Sequence, residues 1–346
     1  MTNDEWGVMP DVLKLALVGC GAIARFHLDG IQACGGKIRV TAAVDPDRGK
    51  AERVASETGA QVFSSLAEAV AGGDFDAVDL MVPHDLHEAV AVKAFQAGKH
   101  VLLEKPMAPT LEACDRILAS AKAAGTVFMV AENAQYWPEV VKAKELIDAG
   151  AIGEILTARA TYAAEFDAYW FKEKNAWRYE KGRTGGGITI DGGSHWIRPL
   201  RMWMGEIEEV VGVLDHPLKQ MEGESLVRAL FRFRSGKIAT FDAMMVTTVL
   251  GPDASWRVVG TKGEIVIEGG FGGGIKLFDV ANRGGKLMAE PQGYGKSFGP
   301  ELDDFAEAVL RGKPLEAGPD YALGELRTAL AIYRSAESRQ WEKVWG

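Results

Sequence analysis

An apolar run leads into a glycine-rich turn at residues 13–24, which read LKLALVGCGAIA. The apolar part predicts a buried strand, and the residues after the turn show the apolar spacing of a helix. Gly19, Gly21 and Ala24 keep the G-x-G-x-x-A spacing of dinucleotide-binding turns. Gly19 permits the tight turn, Gly21 lets the backbone approach a pyrophosphate, and the helix N-terminus attracts the phosphate charge. The predicted phosphate contacts are Gly19, Gly21, Ala22 and Ile23.

Strands and helices alternate in the first part of the chain. The predicted strands are 13–18, 39–44, 60–63, 77–82, 100–103 and 127–130. The predicted helices are 22–33, 48–58, 66–71, 86–97 and 111–124. This alternation is typical of βαβ units and a doubly wound parallel sheet. Residues 11–131 are therefore predicted to form a dinucleotide-binding Rossmann domain of the α/β class.

The pattern changes after Gly153. Residues 226–234 alternate polar and apolar side chains, as expected of a strand with one wet and one dry face, and residues 234–237 predict a hairpin turn. Further strands are predicted at 155–163, 208–213, 237–246, 257–260 and 264–267, and helices at 138–149, 300–310 and 321–336. A chain of 346 residues is longer than one hydrophobic core usually serves. Residues 132–346 are therefore predicted to form a second, α+β domain with a mainly antiparallel sheet.

Composition limits the partners and the compartment. The formal net charge of −9 disfavours nucleic acid and anionic membranes, which attract basic surfaces. The three cysteines are odd in number and show no C-x-x-C spacing, which indicates neither a disulfide framework nor a zinc site. Residues 1–10 lack the pattern of a signal peptide, and no apolar run reaches the ~20 residues of a spanning helix. We expect a cytoplasmic protein without a metal site that acts on a small molecule.

Asp45 ends the second predicted strand, where a carboxylate hydrogen-bonds the adenosine ribose hydroxyls. This context makes a glycine turn without a ligand the weaker alternative. A carboxylate at this position also repels a 2′-phosphate, so NAD is predicted and NADP is disfavoured. Arg48 would soften the preference if it reached the ribose, but we favour its alternative interpretation as a solvated residue in the first turn of a helix.

The tripeptide Glu104-Lys105-Pro106 follows the fifth predicted strand, and open α/β sheets bind ligands at such strand ends. Hydride transfer from a secondary alcohol needs a base and a group that stabilises the alkoxide-like oxygen, and Lys105 and His195 fit these needs. Asp191 lies four residues before His195, so a helix predicted at 189–203 would place both on one face. The alternative is that Asp191 caps this helix and His195 packs in a core.

Two histidines, His84 and His87, follow Pro83 at the end of the fourth predicted strand. All three residues are predicted to line the cofactor cleft, although a capping or packing role fits each histidine equally well. The junction between the two halves is predicted to edge the same cleft. Its residues are Glu132, Asn133, Gln135, Tyr136 and Trp137.

Aromatic residues and an arginine precede a run of three glycines at residues 185–187. Trp170, Trp177 and Arg178 suit a sugar-like ligand, with aromatics at a surface or interface as an equal alternative. The glycines suit a loop that approaches a ligand closely before a helix begins.

These motifs resemble the Gfo/Idh/MocA family, which comprises glucose–fructose oxidoreductase, inositol dehydrogenase and their relatives. The resemblance runs from about Leu13 to Ala336. It is carried by the glycine loop, Pro83…His87, residues 97–101, Glu104-Lys105-Pro106, Trp177-Arg178, residues 185–187 and Asp191-x-Gly193-x-His195. It implies an open sheet in the second domain, a homodimer or homotetramer built on that sheet, and sugars or cyclitols as substrates.

The resemblance also implies roles for the polar residues. Lys105, Asp191 and His195 would be the catalytic set, with His195 as general base. Lys105 would orient the reacting hydroxyl, and Asp191 would hold Lys105 or a substrate hydroxyl. With the cleft residues described above, the predicted cofactor contacts also include Asp45, Pro83, His84, His87, Glu104 and Lys105. The predicted substrate contacts are Lys105, Tyr136, Trp177, Arg178, Asp191 and His195.

One position departs from the family. Many members carry an aspartate three residues after the histidine, where this chain has Arg198. Arg198 indicates either an acidic or unusually decorated substrate, or a salt bridge outside the pocket.

The leading functional hypothesis is an NAD-dependent dehydrogenase that oxidises a ring hydroxyl of a sugar, cyclitol or glycoside. An NADPH-dependent reductase of a keto-sugar is the alternative among enzymes, because microscopic reversibility leaves the direction open. A non-catalytic regulator of the same fold that binds dinucleotide is the alternative from another class. The presence of Lys105 and His195 argues against the regulator.

Replacing Asp45 by serine tests the predicted ribose contact. The variant should bind NAD+ about tenfold or more weakly, since hydrogen bonds to a charged group are lost, and its preference over NADP+ should relax. Titration with both cofactors measures the two dissociation constants. Unchanged constants would exclude Asp45 from the ribose site.

Overall fold

A computed structural model describes residues 12–166, 176–269 and 273–346 of the chain. The prediction for the N-terminal residues 1–10 and the prediction for Trp170 fall outside these ranges. Within them, the chain forms two sheets, one of six strands and one of nine.

The first sheet consists of parallel strands. They are β1 (Leu13–Val18), β2 (Ile38–Val44), β3 (Gln61–Phe63), β4 (Ala77–Leu80), β5 (His100–Glu104) and β6 (Phe128–Ala131). Their order, β3-β2-β1-β4-β5-β6, is that of a doubly wound dinucleotide-binding fold. The helices between them are α1 (Ala24–Ala33), α2 (Arg48–Thr58), α3 (Leu66–Gly72), α4 (His87–Gln96) and α5 (Leu111–Ala124). The predicted Rossmann fold is confirmed.

Local signals set the ends of these elements. β4 is buried at every position and β5 at its three central positions, as apolar strands covered on both faces require. Helices α2 and α5 begin at side-chain caps from Asp47 and Thr110. Both end at a glycine in the left-handed region, Gly59 with φ 74° and Gly125 with φ 67°. These starts and stops determine which residues meet at the carboxyl edge of the sheet.

The second sheet is mainly antiparallel. Its strands are β7 (Ile155–Glu165), β8 (Ile207–Asp215), β9 (Leu226–Phe233), β10 (Ile238–Val246), β11 (Ala254–Gly260), β12 (Gly263–Glu268), β13 (Ile275–Asp279), β14 (Lys286–Ala289) and β15 (Glu342–Lys343). Their order is β14-β13-β12-β11-β7-β10-β9-β8-β15. Within the described strands, the pair β7 and β10 is parallel and the other neighbours are antiparallel. The predicted antiparallel character is confirmed.

Further helices follow in the second half: α6 (Pro138–Asp148), α7 (Lys181–Thr184), α8 (Ser194–Met204), α9 (Phe298–Arg311) and α10 (Leu323–Ser338). The dry face of the second sheet packs against α8 and α10, because Trp196, Ile197, Ala331 and Ile332 share one core with the strands. None of the helices in the described ranges combines the length and apolar character that a bilayer-spanning helix requires.

Helix α8 begins at Ser194, later than the predicted start at residue 189. Residues 188–193 form turns, in which the backbone N–H of Gly193 donates to the carbonyl of Ile188 at 2.7 Å. The prediction that Asp191 and His195 share a helix face was therefore wrong, because the residues just before Ser194 include two glycines of low helix propensity. Asp191 does not cap the helix either, since the residue at the N-cap position is Gly193.

The end of the chain returns to the first sheet. Helix α9 packs on α1, and Phe298, Leu302 and Phe305 join the core that contains β1. Helix α10 adds Leu323 and Leu326 to the core on the other face of the sheet. The C-terminal helices therefore pack on both halves, and the domain boundary at residues 131 and 132 stays a prediction.

Because α1 packs closely on α9, any side chain at Gly30 is expected to destabilise the fold. A Cβ atom there would lie 2.7 Å from Leu302 Cδ1 and 2.8 Å from Phe298 Cβ. Gly30→Ala should lower the free energy of unfolding by about 1–3 kcal/mol, as overpacking does, measured by denaturant titration. The matched control is Gly182→Ala in α7, where a Cβ meets nothing within 4 Å in the described ranges. Equal stability of the two variants would contradict the tight packing.

Candidate active site

A cavity of about 1010 Å³ lies at the carboxyl edge of the first sheet and reaches the turn before α8. Its volume suits a ligand of cofactor size with a small second molecule. The predicted site residues in its wall are Gly19, Gly21, Ala22, Ile23, Asp45, Pro83, His84, Glu104, Lys105, Trp177, Arg178, Asp191 and His195. Two described residues predicted as ligand contacts, His87 and Tyr136, do not line it. Three described residues predicted at the cleft edge do not line it either: Glu132, Gln135 and Trp137.

The glycine loop has the geometry of a pyrophosphate site. Gly19 has a φ of 94°, and a Cβ there would lie 2.4 Å from the carbonyl oxygen of Met81, so a side chain is excluded. A Cβ on Gly21 would meet nothing within 4 Å in the described structure, so the backbone faces open space. No described side chain caps the N-terminus of α1. Its first N–H groups and the helix dipole therefore suit an anion such as a pyrophosphate.

Asp45 supports the glycine loop as well as lining the cavity. Its Oδ2 accepts a hydrogen bond from Cys20 N, and its Oδ1 accepts one from Asp47 N, each at 2.8 Å. Arg48 donates instead to Glu52 at 2.7 Å, and its side chain is 81% exposed. The solvated interpretation of Arg48 is therefore the one observed, and Asp45 lines the cavity.

Lys105 connects the two halves of the chain at the cavity wall. Its Nζ donates to the carbonyl oxygen of Asp191 at 2.8 Å and to Asp191 Oδ1 at 3.0 Å. Arg178 Nε donates to Oδ2 of the same carboxylate at 3.3 Å. Burial alone would raise the pKa of Asp191, but Lys105 and Arg178 hold this pKa well below its usual range. The ionised carboxylate therefore fixes the position of the lysine Nζ.

His195 is paired with a carboxylate from the first half of the chain. It is buried, and its Nδ1 is hydrogen-bonded to Glu132 Oε1. Burial alone would raise the pKa of Glu132, but His195, Arg198 and Lys105 lower it to about 2. An ionised carboxylate only accepts, so Nδ1 donates and Nε2 is the nitrogen that carries no hydrogen in the neutral imidazole. A carboxylate that orients an imidazole in this way is typical of a general base.

The glycine run at residues 185–187 is held by a buried carboxylate. Glu224 accepts hydrogen bonds from Gly187 N at 3.0 Å and Thr189 N at 2.9 Å. A Cβ on Gly187 would fall onto the backbone of Glu224, and one on Gly186 would fall onto Tyr333 Oη. The glycines therefore allow close packing behind the cavity wall, and Gly186 and Gly187 also line the cavity itself.

The predicted histidines have different surroundings. His84 lines the cavity, with Nδ1 3.2 Å from the carbonyl oxygen of Thr184 and its ring 4.7 Å from that of Trp177. Burial lowers the pKa of His84 well below its ordinary value, so the imidazole is neutral. The ring nitrogens of His87 instead lie 2.9 Å from the carbonyl oxygens of Pro106 and Val82. His87 therefore joins β4 to the Glu-Lys-Pro turn behind the cavity.

The junction residues divide between the cavity and the core. Asn133 lines the cavity, whereas Trp137 is 1% exposed in the core of the second half. The hydroxyl of Tyr136 donates to Asp304 of α9 at 2.6 Å. This partner explains why Tyr136 lies outside the cavity wall: its only polar atom is directed to α9.

Arg198 is buried in an ion pair. Its Nε and Nη2 each donate to the carboxylate of Glu325 at 2.8 Å, and its Nη1 donates to Gln135 Oε1 at 3.1 Å. Arg198 is 1% exposed, and in the described structure it is not part of the wall of the large cavity. Of its two interpretations, the salt bridge outside the pocket is the one observed.

Sequence patterns did not indicate the roles of two carboxylates and one histidine. Glu132 was predicted only as a residue at the cleft edge, and neither Glu224 nor His27 was predicted at the site. The place of Glu132 directly after β6 was the one available signal, since strand ends carry functional residues. Glu224 and His27 bind partners far away in sequence, which no local pattern indicates.

One cavity wall thus combines the glycine loop with Lys105, Asp191 and His195. A model of the oxidoreductase family with an NAD-binding Rossmann fold matches residues 13–132, and a model of the GFO/IDH/MocA C-terminal domain matches residues 140–266. The chain therefore belongs to the GFO/IDH/MocA family, as the sequence motifs predicted.

Individual relatives match over most of the chain. The 1,5-anhydro-D-fructose reductase of Ensifer adhaerens is 30% identical over 342 residues, which cover 96% of this chain and 98% of the relative. The levoglucosan dehydrogenase of Pseudarthrobacter phenanthrenivorans is 28% identical over 320 residues, which cover 78% and 80%. The crystal structure of an oxidoreductase from Thermotoga maritima superposes with a TM-score of 0.84 at 29% identity and covers 96% and 98%.

Because Arg198 forms a buried ion pair, replacing it is expected to change the stability of the fold and not the binding of ligands. Arg198→Leu should lower the free energy of unfolding by about 3 kcal/mol, because the charge of Glu325 loses a bidentate partner. The dissociation constant for NAD+ should stay within about twofold, since Arg198 lies outside the cavity wall. The exposed control Arg48→Leu should change stability by less than about 0.5 kcal/mol. A stable Arg198→Leu protein with altered ligand binding would contradict this assignment.

Proposed function

We propose that the protein is an NAD-dependent dehydrogenase that oxidises a ring hydroxyl of a sugar, cyclitol or glycoside. The observation that carries this proposal is a shared cavity, whose wall contains the glycine loop together with Lys105, Asp191 and His195. Bound NAD supplies the hydride acceptor at such a site. The remaining tasks, which are to orient the hydroxyl and to remove its proton, belong to side chains of the protein.

His195 is the proposed general base. Its Nε2 accepts the hydroxyl proton, and Glu132 holds the ring through Nδ1 and stabilises the imidazolium that forms. Because Glu132 is ionised and buried, it offers this stabilisation in a medium of low dielectric, where it is stronger than in water.

Lys105 is the proposed group that stabilises the reacting oxygen. Its Nζ has three N–H donors, and the carbonyl and carboxylate oxygens of Asp191 accept two hydrogen bonds from it. The third donor is proposed to bind the hydroxyl oxygen, which gains negative charge as the hydride leaves. Asp191 and Arg178 therefore act as positioning residues for Lys105.

The wall of the cavity and the names of the relatives support a sugar-like substrate. Tyr162 and Trp177 line the cavity, and aromatic faces pack well against the apolar C–H face of a sugar ring. The two relatives described above are named for levoglucosan and for 1,5-anhydro-D-fructose.

A keto-sugar reductase is the second candidate. It is favoured by the name of one relative, 1,5-anhydro-D-fructose reductase. The same residues serve both directions, since a base in oxidation is an acid in reduction. The carboxylate of Asp45 at the adenosine end supports NAD over NADP as the cofactor in either direction.

The second sheet supports a homodimer or homotetramer. Val213, Leu230 and Ile238 are exposed on three adjacent strands, β8, β9 and β10. They lie on the outer face of the sheet, opposite the face that packs on α8 and α10. We propose that a second copy of the chain covers this face.

Variants of the two proposed proton-handling residues test the function. Lys105→Ala and His195→Ala should each lower turnover by about 10²–10⁴-fold, the span expected for acid–base groups. Glu132→Gln should also lower turnover. The assay follows NAD+ reduction by absorbance with a panel of glucosides, inositols and sugar acids, and the product ketone is then identified.

The control for these variants is Arg48→Ala, which changes an exposed residue away from the reacting groups and should keep wild-type turnover. The affinity for NAD+ should change much less than turnover in each variant. Near-wild-type rates in either Lys105→Ala or His195→Ala would refute the assignment. Binding of NAD+ by the wild-type protein without turnover of any panel member would favour the non-catalytic regulator.

A further inference from the structure

Three ionisable side chains form a buried chain behind the cavity, and the proposed chemistry does not use them. His27 of α1 is 0% exposed, with Nδ1 2.7 Å from Asp79 Oδ2 and Nε2 3.0 Å from Glu104 Oε1. Asp79 lies in β4 and is also fully buried. Glu104 ends β5 and lines the cavity. These residues, Asp79, His27 and Glu104, are called the buried triad below.

The triad carries a net negative charge. Both ring nitrogens of His27 face carboxylate oxygens, so both donate and the ring is an imidazolium. Burial alone would lower the pKa of His27, but Asp79 and Glu104 raise it well above its ordinary value. Burial likewise would raise the pKa of Glu104, but His27 and Lys105 lower it. Burial raises the pKa of Asp79, and His27 opposes this rise. With both carboxylates ionised, they share the charge of one imidazolium, and the triad has one negative charge in excess.

Topology places Glu104 at one end of the dinucleotide site. Asp45 ends β2 and marks the adenosine end, and the glycine loop after β1 marks the pyrophosphate. In the order β3-β2-β1-β4-β5-β6, the second mononucleotide half binds over β4, β5 and β6. Glu104 lies at the carboxyl end of β5, so its carboxylate faces the nicotinamide end. This placement rests on the proposed function.

We propose that the buried triad holds a negative charge at the nicotinamide end of the cavity and thereby favours binding of NAD+ over NADH. The nicotinamide ring carries a positive charge in NAD+ and no charge in NADH, so a fixed anion stabilises the oxidised form. The preference favours capture of NAD+ and release of NADH, which a dehydrogenase needs at the two ends of its cycle.

Glu104 is the member of the triad that lines the cavity. His27 and Asp79 act as positioning residues for it. His27 holds Oε1 of Glu104, and the backbone N–H of Lys105 holds Oε2 at 3.0 Å. Asp79 holds the far nitrogen of His27. The side chain of Lys105 forms its ion pair with Asp191, and its positive charge also lowers the pKa of Glu104, which keeps this carboxyl group ionised.

Glu301 of α9 is a matched control. It is fully buried, and neither carboxyl oxygen has a hydrogen-bond partner among the described residues. Burial raises its pKa well above the usual range, which favours the neutral carboxyl group. Glu301→Gln therefore replaces a buried carboxyl group without removing a charge.

The test measures dissociation constants of NAD+, NADH and ADP-ribose by equilibrium titration at pH 7. Glu104→Gln should lower the ratio of the NADH constant to the NAD+ constant by about tenfold, which corresponds to about 1.4 kcal/mol. Asp79→Asn should lower the ratio in the same direction by less, about threefold, because this charge is farther from the cavity. Glu104→Asp and Glu301→Gln should keep the wild-type ratio, and ADP-ribose binding should change by less than about twofold in all variants.

Circular dichroism and thermal unfolding check that each variant folds. If Glu104→Gln does not fold, the ratio measured for Asp79→Asn decides the question. A ratio unchanged in the variants that fold, or an equal loss for NAD+, NADH and ADP-ribose, would overturn the proposal. Turnover by the wild-type protein together with an unchanged ratio in the variants would leave the proposed function standing. A shifted ratio in a protein that oxidises no panel substrate would refute the function and leave the role of the triad.

Discussion

Lys105 and Asp191 are 86 residues apart in sequence, and their ion pair connects the end of β5 to the turn before α8. The pair is largely shielded from water, with side-chain exposures of 12% and 21%. Breaking such a pair leaves one charge without its partner in a medium that solvates it poorly. This contact therefore helps to hold the end of β5 against the turn before α8, and both segments line the cavity.

The same principle extends through the site as a series of paired buried charges. Glu132 is stabilised as an anion by His195 and Arg198, and Arg198 is in turn paired with Glu325 of α10. Arg201 shares that glutamate. Hydrogen-bonded partners on distant elements offset the desolvation of each charge. The proposed acid–base chemistry depends on such fixed positions, since small displacements of a reacting group are costly in rate.

The two helices at the end of the chain, α9 and α10, hold these contacts in position. Helix α9 packs on α1 and brings Asp304 to Tyr136, while α10 brings Glu325 to Arg198 and Tyr333 to the glycine run. Side chains from the end of the sequence thereby support residues from its beginning and middle. Close approach at Gly30 and Gly187 makes this packing possible, because neither position has space for a Cβ atom.

Local sequence was enough for the architecture and for the place of Lys105 at the end of a strand. Strand and helix periodicity, helix caps and the glycine loop act over a few residues, so the alternation of elements, the Rossmann fold and the placement of Lys105 at a strand end followed from patterns. The partner of His195 did not follow, because Glu132 is 63 residues away and any carboxylate in the chain was a candidate. Three further contacts could not be predicted for the same reason. They are the buried ion pair of Arg198, the hydrogen bond from Gly187 to Glu224, and the hydrogen bonds of His27 to Asp79 and Glu104. Pairing of buried charges depends on distances between elements, and those distances arise only when the elements pack together in the folded chain.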